Sequence, residues 1–104
     1  MAVDRGVKIV EDALREHFGR IDPVAYISVD TGYHRALHIT VVSAHFEGMA
    51  QTRRYDEVFD VLGDVSVGKT PALKRVSLCM LFTPDEYRET YGEESPVARV
   101  TAAA

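Results

Sequence analysis

The chain has 104 residues, a length that fits one domain, and 46% of them are hydrophobic, so a folded core is expected. Its formal net charge of −4 argues against non-specific nucleic-acid binding as the main activity, because phosphate contacts need a positive field or a basic patch. The single cysteine excludes an internal disulfide, and no apolar run reaches the roughly 18 residues of a membrane span. Together with the lack of a leader pattern, this predicts a cytoplasmic protein.

The first part of the chain predicts a helix followed by a hairpin. Apolar residues recur at helical spacing in Asp4–Phe18, which predicts a helix. Asp4 is the predicted N-cap, and Gly19 is predicted to end the helix. The β-branched and aromatic run Val24–Val29 predicts a strand, Asp30–Gly32 a turn, and the alternating run Leu37–Ser43 a second strand. Two strands joined by a short connection that contains glycine are expected to pair antiparallel.

The second part predicts helix, loop, strand and helix. A helical apolar face begins after Thr52 and ends at Gly63, the stretch Asp64–Ala72 is typical of a loop, and Val76–Phe82 alternates as a third strand. The sequence Thr83-Pro84-Asp85-Glu86 starts the last helix with an N-cap, a proline at the first helical position and a capping box.

This order, helix-strand-strand-helix-(helix)-strand-helix, predicts the α/β class. We expect a two-layer sandwich in which helices cover one face of a three-stranded mixed sheet. The connection from the second strand to the third should be right-handed if those strands are parallel. We expect a single domain over 1–104, with a core at about 7–91 and a frayed tail at 97–104.

Histidine and cysteine show no pattern typical of a metal site or a nucleophile. The four histidines have no metal-ligand spacing on a helix. His17 lies at the edge of an apolar stripe, where packing is expected, and His45 precedes a turn, where exposure is expected. Cys79 alternates with Val76 and Leu78, which predicts that it lies on the opposite strand face as a small strand residue.

The segment Gly63–Thr70 matches the P-loop pattern G-x-x-x-x-G-K-T. A true P-loop lies between a strand and a helix, whereas a helical pattern precedes this segment and a strand follows it. Only about 34 residues remain after it, too few for the βα units of such an enzyme. Anion binding without hydrolysis remains an open alternative.

The central block resembles the signature of the BolA family, whose fold is related to the second class of KH domain. In the block, an apolar strand ends in Val42-Ser43, a Phe46-x-Gly48 turn follows, and Arg53-Arg54 opens a helix with Tyr55 at the position of a family histidine. The stretches Arg75–Leu78 and Thr83–Tyr87 are similar to the family's His-Ala-Leu-x-Ile and Thr-Pro-x-Glu-Trp. The likeness covers roughly residues 7–91, with the three pieces in the family's order.

The resemblance implies a non-enzymatic partner of monothiol glutaredoxins that helps to hold or pass on a [2Fe–2S] cluster. In the family, one ligand is a histidine at the start of the third strand, and another comes from the loop between the first two strands. Here His34 is the candidate in the loop, but Arg75 stands at the strand position. A guanidinium has no lone pair to give a metal, so direct ligation by this chain is in question.

The resemblance and the charges leave two binding roles open. One is a glutaredoxin partner, with any cluster shared between the two proteins. The other is a nucleic-acid-binding transcriptional regulator that uses the turn and helix start at residues 46–55. A homodimer is also compatible with either. The candidate partner-binding or nucleic-acid-binding residues are Arg53, Arg54, Tyr55, Lys74 and Arg75.

Overall fold

The computed structural model describes residues 5–32, 35–67 and 69–92. Over these residues the chain forms a three-stranded sheet with helices packed on it, and a separate two-stranded hairpin. The predicted α/β sandwich is therefore confirmed. In chain order the elements are α1 (Arg5–Ile21), β1 (Tyr26–Thr31), β2 (Leu37–Val42), a first 3₁₀ turn (Ala44–Phe46), α2 (Gln51–Gly63), β3 (Ser66–Val67), β4 (Thr70–Pro71), a second 3₁₀ turn (Ala72–Arg75), β5 (Val76–Phe82) and α3 (Pro84–Tyr91).

The main sheet has the order β1-β2-β5 and is mixed. β1 and β2 pair antiparallel, as predicted for the hairpin, and β2 pairs with β5 in parallel. A parallel pair needs a crossover connection, which α2 and the segments after it supply. α1 packs on β1 and on α2, while α2 also contacts β5, so these two helices lie on the same layer.

The core lies between this helical layer and the sheet. α1 and α2 each contribute a stripe of apolar side chains, and β1 and β2 contribute every second residue, because side chains alternate between the faces of a strand. Apolar burial on this scale is the main stabilising term of the fold. The largest fully buried apolar side chains are Phe18, Phe46, Leu14, Leu37, Ile39, Leu62, Leu81, Val10, Val41, Val42 and Val58.

The start of α3 has the predicted caps. The Thr83 hydroxyl accepts from the backbone N–H of Glu86, and the Glu86 carboxylate accepts from the Thr83 N–H at 2.8 Å. Pro84 occupies the first turn, and Gly92 ends the helix with a φ of 66°, a left-handed conformation that favours glycine. Each of these signals is local in sequence, which is why they could be interpreted without the tertiary structure.

Several predicted boundaries are wrong. β1 covers Tyr26–Thr31 rather than Val24–Val29, so Asp30 and Thr31 of the predicted turn pair with β2. Gly19 does not end α1, which continues to Ile21 because the backbone N–H of Asp22 still donates to the carbonyl of Phe18 at 2.8 Å. The segment Asp64–Ala72 is more than a loop, since it holds the β3–β4 hairpin. The predicted N-cap Asp4 and the predicted tail 97–104 lie outside the described residues.

The predicted face of Cys79 also needs a correction. The register of β2 and β5 shifts between Leu37 and His38, so that Leu37 pairs with Val76 and His38 with Leu78. The extra residue of this bulge changes the side-chain alternation of β5. Val76 and Cys79 consequently both pack against the core, whereas Leu78 is exposed.

Candidate functional site

Arg54, predicted as a binding residue, is buried within the fold. Only 4% of the residue is exposed, and its guanidinium donates to the carbonyls of Met49 and Leu81 and to the carboxylate of Glu86. It also lies over the ring of Phe46 at 5.6 Å. Arg54 thus joins α2, β5 and α3 from the inside, which corrects its assignment to a binding surface.

Arg53 and Tyr55 flank this buried residue on different sides of α2. Arg53 is exposed and lines a cleft together with three carboxylates, those of Asp56, Glu57 and Asp60. Tyr55 is half-buried against the core and stacks on Phe59 with ring centroids 6.1 Å apart. The start of α2 therefore presents no continuous basic patch. Arg54 points into a buried hydrogen-bond network, and Arg53 lies beside an acidic cleft.

Arg75 connects the start of β5 to the loop between β1 and β2. Its Nε and Nη2 atoms donate to the carbonyl oxygen of Arg35 at 3.1 and 2.7 Å. Lys74 precedes it in the second 3₁₀ turn and is exposed, and α2 packs against this turn. We call the surface formed by Arg35, Lys74 and Arg75 the β5-entry surface. It carries three cationic side chains.

The loop between β1 and β2, which Arg75 contacts, is closed by a backbone hydrogen bond. The N–H of Gly32 donates to the carbonyl of Ala36 at 2.8 Å, and Arg35 has a φ of 63°, unusual for a residue other than glycine. A Cβ on Gly32 would lie 2.4 Å from the ring of His38, so only glycine fits without moving that ring. The candidate ligand His34 lies outside the described residues.

The described part of the chain holds no complete metal site of its own. Within 5–32, 35–67 and 69–92, no group of three or more His, Cys, Asp or Glu residues could hold a metal ion. Arg75 fills the strand position with a group that cannot ligate. Burial raises the pKa of the Cys79 thiol to about 11, which disfavours the thiolate that iron would need.

The segment that matches the P-loop pattern has the wrong local structure for one. Gly63 is the last residue of α2, and Thr70 pairs with Val67 in the β3–β4 hairpin. A P-loop would instead run from a strand into the first turn of a helix, whose N–H groups hold phosphate. The described residues of this segment therefore do not have the strand-to-helix arrangement of a P-loop.

The structure brings together three side chains that the sequence did not connect. Nε2 of His17 lies 2.8 Å from Oε2 of Glu57, and Nε2 of His45 lies 2.9 and 3.0 Å from the two oxygens of the same carboxylate. The three residues come from α1, from the first 3₁₀ turn and from α2. We call them the His–Glu–His cluster. The expectation that His45 is exposed is wrong, since its ring is half-buried beside Phe18 and Phe46.

The protonation of Glu57 is biased by these partners. Burial alone would raise its pKa, but hydrogen bonds from His17 and His45, together with their charges, lower it below the ordinary value of 4.5. Glu57 is therefore ionised at neutral pH. Since a carboxylate only accepts hydrogen bonds, each imidazole must carry a proton on Nε2. No sequence spacing links the three residues, and only the packing of α1 on α2 reveals the cluster.

Comparison of the chain with protein-family models, with curated proteins and with solved structures finds no match. Among the described residues, no helix is both long enough and apolar enough to cross a membrane.

Proposed function

We propose that the chain is a non-enzymatic binding protein of the BolA type that partners a monothiol glutaredoxin in iron–sulfur or redox handling. The supporting observation is the pair of hydrogen bonds from Arg75 to the carbonyl of Arg35. They join the start of β5 to the loop between β1 and β2. These are the two places from which the resemblance implies that the family's ligands come.

The chemistry of the β5-entry surface favours contact by charge and hydrogen bonding. Arg35 and Lys74 are exposed basic residues of this surface, and basic side chains are well suited to carboxylates on a partner. The residues described supply no ligand set for a cluster. In this proposal the partner holds the [2Fe–2S] cluster, and this chain contacts the partner beside it.

The first test is titration of the chain into a monothiol glutaredoxin that carries a [2Fe–2S] cluster. We expect a complex at tens of micromolar or below, measured by calorimetry, and a changed visible circular dichroism spectrum of the cluster. Lys74→Glu should weaken binding by about tenfold, because it places a negative charge in a surface that meets an anionic partner.

Lys8→Glu is the matched control, since Lys8 is an exposed lysine on α1 and the charge change is the same. It should leave the affinity within about twofold of the unmodified chain. Absence of a complex at tens of micromolar would contradict the proposed partner. Equal weakening by the two substitutions would contradict the β5-entry surface as the contact.

A further inference from the structure

Glu57 is a single carboxylate shared by two imidazoles that come from different parts of the chain. The contacts of 2.8 to 3.0 Å are short enough for hydrogen bonds from both rings at once. His17 belongs to α1 and His45 to the first 3₁₀ turn, while Glu57 belongs to α2. The cluster therefore connects three elements through groups whose charge depends on pH.

The surroundings of the cluster leave Glu57 as the charged group that both rings contact. On α1, Glu16 and Arg20 are paired with each other at 2.9 Å. The remaining neighbours fall into two sets. Arg53, Asp56 and Asp60 of α2 line the cleft beside His45 and Glu57, and the rings of Phe18 and Phe46 pack against His45.

We propose that the His–Glu–His cluster is a proton-operated latch that holds α1 and the first 3₁₀ turn against α2. With both rings neutral, each donates a hydrogen bond to the ionised carboxylate. Uptake of a proton by His17 or His45 places a positive charge on one donor, so that bond gains the attraction of an ion pair. The latch therefore tightens as the pH falls from 8 towards 5.5.

The two proton-uptake steps are coupled, because Glu57 balances only one positive charge. A second proton meets the like charge of the first imidazolium a few ångströms away, so it binds less readily than it would alone. Each histidine thus acts on the titration of the other. Two histidines that merely lie on the surface would titrate independently.

The first experiment compares melting temperatures at pH 5.5 and pH 8.0 for the unmodified chain and for Glu57→Gln, which keeps the shape and a carbonyl acceptor but removes the charge. We expect the loss of melting temperature caused by the substitution to be larger at pH 5.5 than at pH 8.0, because the ion pair is present only when a ring is protonated. Asp60→Asn, one turn further along α2 in the same cleft, should show no such pH dependence. An equal loss at both pH values would overturn the proposal.

The second experiment measures coupling directly and needs only a substitution on a partly exposed side chain. The ring signals of His45 are followed by NMR from pH 5 to pH 8 in the unmodified chain and in His17→Gln. Removal of the competing imidazole should move the titration midpoint of His45 upward. A midpoint that stays within 0.1 pH unit would show that the two rings are uncoupled and would refute the latch.

Discussion

At the scale of single residues, Arg54 shows how a charge is placed inside a small core. Its guanidinium makes hydrogen bonds to two backbone carbonyls and to Glu86, so its donors are used where water is excluded. The side chain of Glu86 is 40% exposed, which lowers the desolvation cost of the ion pair. These hydrogen bonds, rather than the burial of apolar surface, stabilise the junction of α2, β5 and α3.

Substitution of Arg54 should therefore destabilise the fold. For Arg54→Met we expect a loss of about 2 kcal/mol in the free energy of unfolding, because the carbonyls of Met49 and Leu81 lose their donor while Glu86 remains partly solvated. Arg54→Lys should recover little, since one ammonium cannot reach all the acceptors in the same plane. Urea denaturation followed by circular dichroism measures both.

Arg53→Met is the control for this prediction, because Arg53 is the exposed neighbour on the same helix turn. Its effect should stay within about 0.5 kcal/mol. If the two methionine variants were equally stable, the buried network would contribute nothing measurable.

At the scale of elements, the capped start of α3 makes a prediction of its own. Thr83→Ala removes the hydroxyl that accepts from the N–H of Glu86, so we expect a loss of about 1 kcal/mol in the free energy of unfolding. Thr52→Ala in the first turn of α2 is the comparison, because that threonine is exposed and alanine has the higher helix propensity. A loss of similar size at both positions would argue against the cap.

The same elements show how far sequence reasoning reaches. The capping box of α3 and the alternation of β2 are local patterns, and both were predicted correctly. The end of α1 was not, because a glycine within a helix costs only about 1 kcal/mol, and the helical hydrogen bonds continue to Asp22 past Gly19. The face of Cys79 was missed because the β-bulge after Val76 follows from pairing with β2, which the sequence of β5 does not encode.

At the scale of the whole molecule, the carboxylates of Glu57 and Glu86 make the free energy of unfolding depend on pH in the acidic range. Hydrogen bonds from Arg54 and Thr83 lower the pKa of Glu86 although burial opposes them, and the pKa of Glu57 is lowered as described above. A depressed pKa in the folded state contributes stability that is fully present above the ordinary value of 4.5. That contribution is lost as the pH falls through the lowered values.

We therefore expect the free energy of unfolding to decrease between pH 5 and pH 2, and to decrease less steeply in the double variant Glu57→Gln, Glu86→Gln. Urea titrations at steps of half a pH unit give the two slopes. Asp85→Asn is a suitable control, because Asp85 is a highly exposed carboxylate on α3. Parallel slopes for the double variant and the unmodified chain would contradict the assignment.

The candidate site was less predictable than the fold, for physical reasons. Charge counting grouped Arg53 with Arg54 because they are adjacent, but consecutive residues of a helix point about 100° apart. One is exposed and the other is buried. The His–Glu–His cluster joins residues 17, 45 and 57, and such distances along the chain are closed only by packing. The contact between Arg75 and the loop likewise depends on the parallel pairing of β2 and β5.

The hydrogen bond from Arg54 to the carbonyl of Leu81 also has a consequence for refolding. β5 is seven residues long and has neither a charge nor a proline, a composition typical of segments that assemble between chains into cross-β structure. In the folded chain β2 pairs with one edge of β5, and Arg54 donates a hydrogen bond to the carbonyl of Leu81 near the end of β5. Arg54→Met should thus lower the recovery of soluble folded protein after dilution from denaturant, and light scattering during dilution measures that loss.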